Sequence, residues 1–396
     1  MRKGLPMIGR CTALVITGLA MILAASGAAY SGTLPLNLLL QVDSSVDNNQ
    51  YDFALTPNAA HVVYQKSGNV HYAYVTKNNL SWTTVNLGLG SWPTIASDVQ
   101  GRVMIAYENG GTIYGIEAHN SLTPTTILTG VSGAKPVLSS PFFTSGWQMS
   151  VEGNFDSDDY TEVARLTNFG VGWSQPELLL DGWYDTGQGY YYGQSSIAAF
   201  ADLSYALAHE FQNWGGKASW SEKSAVVSGP GTDSIARSTS WSSAVQLSRR
   251  SVHCIADDGS AKAVFAFALD NSIYVAIDEG SGWSWLIEGS IAGSAPTVSW
   301  TGGTYTDPSG VLHFISSQDE RQLLDDTLWY EDQVLSGVNP LVFAMEDKFF
   351  LFRDPNNNLM FGAQFADVVP EPGSILTLFT GTLGMLGLAR LRRRSK

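Results

Sequence analysis

The sequence predicts an all-β body folded as a β-propeller of about seven four-stranded blades, and three observations carry this. Short runs rich in Val, Ile, Tyr, Phe and Trp alternate with Gly, Asn, Asp and Ser turns, helical periodicity is almost absent, and a unit of about 40 residues recurs along the chain. Six blades is the alternative, since the stretch from Ser195 to Arg250 is either one swollen unit or hides an irregular one. A two-domain β-sandwich accommodates the near-constant repeat less well.

Residues 1–29 precede that body. Arg2, Lys3 and Arg10 lead into the apolar run CTALVITGLAMILAA, and small residues follow, the layout of a secretory signal peptide cleaved near Ala29. Cys11 to Ala25 is too short for the roughly 20 residues a membrane-crossing helix needs.

The best-written unit starts at Ser91. It reads as four strands: PTIAS, VMIAY, TIYGIEA and TTILT, with turns at Val99 to Gly101 and at Asn109 to Gly111. A comparable unit precedes it, with Tyr64 falling under Tyr107. Further first strands start at Lys135, Ser195, Ser251, Ala295 and Asn339, which makes seven starts. Pro93 to Pro136 and Pro296 to Pro340 are steps of 43 and 44 residues, and the two longer middle steps suggest enlarged loops. Outer hairpins ending in Trp recur at Trp82, Trp173, Trp241 and Trp283. Asp278, Gly280 and Trp283 loosely resemble the Asp-box of sialidase-like propellers, although Ala276 stands where the usual Ser belongs, so the resemblance speaks to fold alone.

The chain carries 22 Lys+Arg against 36 Asp+Glu, a net charge of −14. Eight of the basic residues sit at the two ends, so the body from residue 30 to 368 is more acidic still, which argues against nucleic acid and anionic membrane surfaces as partners. Only Cys11 and Cys254 occur. Once the signal peptide is removed no internal disulfide can form, and stability has to come from a large core.

In a propeller of this strand order, the turns between second and third strands share a face with the connections between blades. Aligning the second strands places Glu108, Glu152 and Glu210 at one blade position on that face. Paired carboxylates at suitable separation serve glycoside cleavage as acid and as base or nucleophile, so these three are the candidate catalytic residues. The connection DGWYDTGQGYYYGQ would project from the same face with Trp183, Tyr184, Tyr190, Tyr191 and Tyr192, whose flat rings suit sugars and make it the candidate ligand site. Asp156, Asp158 and Asp159 supply oxygen ligands of the kind calcium prefers, without EF-hand spacing. The six histidines are scattered singly, so no metal site and no cofactor is expected apart from calcium at that acidic stretch. Motifs such as GxSxG and HExxH are absent, and no arginine triad of the sialidase kind can be matched.

The last segment reads Val369, Pro370, Glu371, Pro372, then an apolar stretch from Ile375 to Ala389, then Arg390, Arg392, Arg393, Arg394 and Lys396. Prolines that cannot continue a helix backwards, a segment able to enter the bilayer and a cytoplasmic basic cluster place the body outside the inner membrane. Residues 369–396 resemble the PEP-CTERM sorting signal. That resemblance implies recognition by an exosortase-type membrane protease in a Gram-negative bacterium that makes exopolysaccharide, membrane anchoring of the precursor through residues 375–389, and a destination at the cell surface or in the extracellular matrix. Export, a repeat scaffold, an aromatic connection and missing catalytic motifs together suggest a non-catalytic platform that binds polysaccharide or a surface protein rather than an enzyme. The alternative is a glycan-active hydrolase or lyase using the propeller-face carboxylates.

Overall fold

The computed structural model describes most of the chain between Gly32 and Gln364. Residues 1–31 and 365–396 lie outside the described residues, as do short internal stretches such as 201–204, 215–220, 302–310 and 325–332 and many side chains after residue 180. The expected signal peptide and sorting tail therefore lie outside them. No helix among the described residues is long and apolar enough to cross a membrane.

The described residues form seven sheets in chain order, all strand. Sheet one contains Tyr51–Thr56, Ala59–Lys66, Asn69–Thr76 and Asn79–Leu89. Sheet two contains Ser91–Ser97, Val103–Asn109, Thr112–Glu117 and Thr125–Thr129, the four strands and turns read from the sequence. Sheet three runs through Ser132–Ser139, Trp147–Asn154, Glu162–Asn168 and Glu177–Leu180. Sheets four to six begin their meanders at Trp183–Asp185, Val245–Gln246 and Thr297–Thr301, and sheet seven at Val338–Ala344.

Val103 to Tyr107 is an unbroken apolar run because both faces of its strand are covered. Met104 and Ala106 enter the core shared with sheet three, while Ile105 and Tyr107 enter the core shared with sheet one. Alternate side chains of a strand point to opposite faces, so a sheet packed between two others shows no polar alternation. Such cores join sheets one and two, two and three, three and four, and four and five, and another joins sheet seven to sheet one. This is a propeller-like ring of sheets.

The repeat is also written in hydrogen bonds between neighbouring sheets. Asp52 of sheet one accepts from Thr94 Oγ1 at 2.9 Å and from Ile95 N at 3.1 Å in sheet two. One sheet further, Thr94 Oγ1 accepts from Leu138 N at 3.0 Å, and Ser139 Oγ then accepts from Ala199 N at 3.1 Å. Prolines recur at the start of first strands because these strands are edge strands, where a missing N–H leaves no ladder bond unmade. Pro93 and Pro340 sit inside register shifts, between Ser91 and Thr94 and between Val338 and Leu341.

Two features differ from the sequence reading. The stretch from Ser195 to Arg250 holds most of one five-stranded sheet, which runs from Trp183 to Ser240, and then Val245–Gln246 of the next; the extra length of sheet four lies in longer strands, Gln188–Ala199 and Tyr205–Trp214, rather than only in enlarged loops. The ring is closed by an N-terminal strand, Leu38–Asp43, which pairs antiparallel with Leu359–Gln364 as the outermost strand of sheet seven. Asp43 then clasps sheet one, accepting from Tyr64 Oη and Lys66 Nζ, both at 2.7 Å. Burial works to raise the Asp43 pKa, but the bonds from Lys66, Tyr64 and Ser44 N and the charge of Lys66 outweigh it and hold the carboxyl below its ordinary value.

Candidate functional site

First strands begin, and second strands end, on one face of the ring, as the pairs Ser91 with Glu108 and Lys135 with Glu152 show. The inter-sheet hydrogen bonds make Gln50, Trp92 and Lys135 equivalent positions in sheets one to three, one repeat apart. By the same register Gln65, Glu108, Glu152 and Glu210 are equivalent, as the sequence alignment of the three glutamates expected. The structure brings Glu108 and Glu152 to the same face on neighbouring sheets.

Their chemical states differ. Glu108 accepts from Ser91 Oγ at 2.7 Å with one oxygen and from Gly111 N at 2.8 Å with the other, so both oxygens cap the blade's own turns. Glu152 is buried, its side chain only 4% exposed, and it accepts from Lys135 Nζ at 2.5 Å. Glu210 lies on Tyr205–Trp214 opposite Ala225, with its side chain outside the described ones.

The cation is as well placed as its carboxylate. Lys135 Nζ stands 5.3 Å from the centre of the Trp92 indole, within cation–π range, while Glu152 holds the ammonium from below. Trp92 in turn donates its backbone N–H to Gln50 Oε1 at 2.9 Å, so the three equivalent positions form one connected arc. Gly90 lets the chain enter this arc: a Cβ there would lie 2.6 Å from the Tyr107 ring and 2.9 Å from the Glu108 carbonyl. Burial, with Tyr114 adding, pushes the Tyr107 phenol above its ordinary range, so a neutral ring forms the floor under Gly90.

Toward the middle of the ring, Arg250, two residues before the strand Val252–Ile255 of sheet five, reaches sheet one. It donates to Asp52 Oδ1 from Nη2 at 2.9 Å and to the Phe53 carbonyl, with its guanidinium 4.6 Å from the Phe53 ring centre. Sheets one and five are not neighbours in the ring, so this clasp bridges the opening between inner strands.

The aromatic connection is a strand hairpin rather than a loop. Trp183 pairs with Tyr190 and Tyr184 with Gly189, and Tyr191 and Tyr192 pair onward with Gln212 and Phe211. The strand of sheet four that carries Glu210 continues four residues beyond it, to Trp214, whereas the equivalent strand of sheet two ends one residue beyond Glu108. The hairpin therefore extends the glutamate end of sheet four; the side chains of its aromatics lie outside the described ones. Among the described residues no group of three or more His, Cys, Asp or Glu could hold a metal, and of the acidic stretch only Asp156 is described, at an exposed position.

Sequence reasoning passed over Gln50, Trp92, Lys135 and Arg250. The signal for the first three was the repeat itself, which places them at one blade position two residues ahead of the inter-sheet hydrogen bonds. Arg250 carried no such signal, because its partner lies about 200 residues away.

No family model and no curated protein matches the chain. Its fold is shared with solved polysaccharide lyases. A PL25 ulvan lyase aligns over 82% of this chain and 95% of its own, at 10% identity and a TM-score of 0.53. The same enzyme bound to -[GlcA(1-4)Rha3S]- gives 0.52, and the polysaccharide lyase Uly1 gives 0.51 at 7% identity, over 84% of this chain and all of its own. At such identities the likeness establishes the scaffold. It overturns the expectation of a non-catalytic platform that is not an enzyme, because these neighbours, which share the scaffold over more than four-fifths of the chain, are polysaccharide lyases.

Proposed function

We propose that this protein is a glycan-active enzyme, a seven-bladed propeller lyase that cleaves a uronate-containing polysaccharide on the face bearing Trp92, Lys135 and Glu152. The observation that carries this reading is the fixed cation: Lys135, half-exposed and held by a buried carboxylate beside an indole. Elimination at a uronate passes the C5 proton to a base, turns the C5–H electron pair into a C4–C5 double bond and expels the C4 oxygen, which leaves with the C4–O pair and takes up a proton from solvent. The C5 proton becomes acidic enough only when the neighbouring carboxylate is neutralised, and a preorganised ammonium supplies that charge without reorganising at the moment of reaction. Hydrolysis instead needs two carboxylates free to exchange protons with substrate and water. Glu108 caps turns with both oxygens and Glu152 serves Lys135, so the described geometry favours elimination. The solved neighbour that binds a glucuronate repeat points to the same substrate class.

The strongly acidic chain repels a polyanion at long range, so activity should rise as moderate salt screens that repulsion. The test is incubation with a panel of uronate polysaccharides while following the ultraviolet absorbance of unsaturated uronate products. Absorbance growth in wild type and its loss in Lys135→Met is the expected result. Reducing ends without that absorbance would mean hydrolysis and defeat the elimination reading, and no depolymerisation of any uronate polymer would defeat both.

We also propose that the protein is exported by residues 1–29 and sorted through residues 369–396 by an exosortase-type protease to the surface or matrix. A surface enzyme acting on extracellular polysaccharide is consistent with that address. The support is the sequence of the two ends.

A further inference from the structure

We propose that, while its tail is attached, the protein docks on a lipid bilayer by the ring face opposite Glu108 and Glu152, with Leu80, Val99, Leu122 and Val171 entering the headgroup layer and the glutamate face turned outward. This rests on reading residues 369–396 as a membrane tail. First and third strands start on the glutamate face and end on the other. The third strand of sheet seven ends at Gln364, paired with Lys348, and the closing strand starts at Leu38, paired with Ala363. Both ends of the described body therefore leave from the face opposite the glutamates. Ten residues, 365–374, separate Gln364 from the apolar stretch that starts at Ile375, a reach of at most about 40 Å.

The side chains on that face suit a bilayer. Among the described residues seven large apolar side chains are exposed, and five of them, Leu39, Leu80, Val99, Leu122 and Val171, lie at this end of their sheets. Exposed apolar residues scattered singly need no explanation, but confinement to one face does. Leu80, Leu122 and Val171 each follow a third strand, which ends at Thr76, Glu117 and Asn168 in sheets one to three, so one blade position repeats the feature. Val171 is 97% exposed at a tip between Gly170 and Gly172, whose φ values of 94° and 95° shape the turn. The turns carrying these residues, 77–80, 98–102, 118–124 and 169–176, hold only Lys77 and the Asp98–Arg102 ion pair as charges, against −14 for the chain. Separate apolar tips on a near-neutral face fit a deformable zwitterionic surface better than a protein partner, which needs one continuous patch. Each contact is weak alone, but a short tether holds the face at high effective concentration beside the membrane.

The test places a nitroxide on the full chain in phosphatidylcholine vesicles, at Val171→Cys or, on the glutamate face, at Leu89→Cys, an equally apolar exposed position, with Cys11 and Cys254 replaced by Ser. Leu122→Cys repeats the reading at an independent turn in case one variant misfolds. Collisions with oxygen, which concentrates in lipid, and with a water-soluble nickel chelate are read by power saturation. The ratio of oxygen to nickel collisions should be severalfold higher at Val171 and Leu122 than at Leu89. Equal ratios at all three positions in protein that floats with the vesicles would overturn the docking and leave the tail reading standing. A fall in both collision rates at Val171, reversed when the protein is diluted into more lipid, would mean that a second copy covers the face, and would also overturn it. If the full chain does not float with vesicles, the tail reading and the docking fall together.

Discussion

Removing the Asp52 carboxylate is the severest single test of how the ring is held together. Its side chain is 4% exposed and accepts from Phe53 N, Thr94 Oγ1, Ile95 N and the Arg250 guanidinium, thereby joining sheets one, two and five. In Asp52→Ala the Thr94 hydroxyl and the Ile95 N–H lose their buried acceptor, at about 1–3 kcal/mol each. Arg250 loses its counter-charge, and breaking a buried pair from one side costs about 3–5 kcal/mol. These costs overlap, and Arg250 keeps the Phe53 carbonyl and 21% exposure to water, so we expect about 4 kcal/mol in total. Asp52→Asn preserves the shape and one acceptor oxygen and should cost about half as much. The assay is urea unfolding at neutral pH followed by intrinsic fluorescence, with Asp52→Ala, Arg250→Met and the double variant completing a cycle. A coupling of about 1–3 kcal/mol between the two sites is expected. An Asp52→Ala loss below about 1 kcal/mol, or no coupling, would refute the view that this carboxylate is a hub across the opening.

Other perturbations give different readouts. His61, bonded to Tyr72 Oη at 2.7 Å and near Thr56 Oγ1, is pushed by burial from an ordinary 6.5 down to about 4. The unfolded chain therefore takes up a proton below pH 6.5 that the folded chain refuses until about 4, and stability should fall across that window by up to about 3 kcal/mol. His61→Gln should flatten that part of the profile, and an unaltered profile would dismiss the assignment. Gly90→Ala should destabilise by about 1–3 kcal/mol and disturb the Trp92 arc, because its Cβ meets backbone as well as a ring; a neutral effect in urea unfolding would contradict the close approach. Deleting residues 369–396 should release the body into periplasm or medium, and unchanged surface fractionation would count against the sorting reading.

The strands of sheet two were legible because each link is local: the apolar run Val103 to Tyr107, the Asn109 to Gly111 turn and the 43-residue step to the next proline are all written in adjacent residues. Glu108 and Glu152 were correctly aligned for the same reason. What alignment could not convey is their occupation. Gly111 N and Ser91 Oγ consume one glutamate and Lys135 the other, and those partners depend on strand register and on a bulge rather than on residue type. Sheet four was harder, since longer strands and longer loops add the same number of residues to a repeat.

By itself, the sequence determined the all-β class, the repeat, the positions of the carboxylates and the acidic character of the body, because side-chain alternation, turn chemistry and charge are properties of neighbouring residues. Tertiary structure alone decided that Leu38–Asp43 completes the last sheet, that Arg250 crosses to Asp52 and that Gln50, Trp92 and Lys135 meet in one arc. Each of these joins residues a repeat or more apart, and their encounter is set by closure of the ring, which no local pattern encodes.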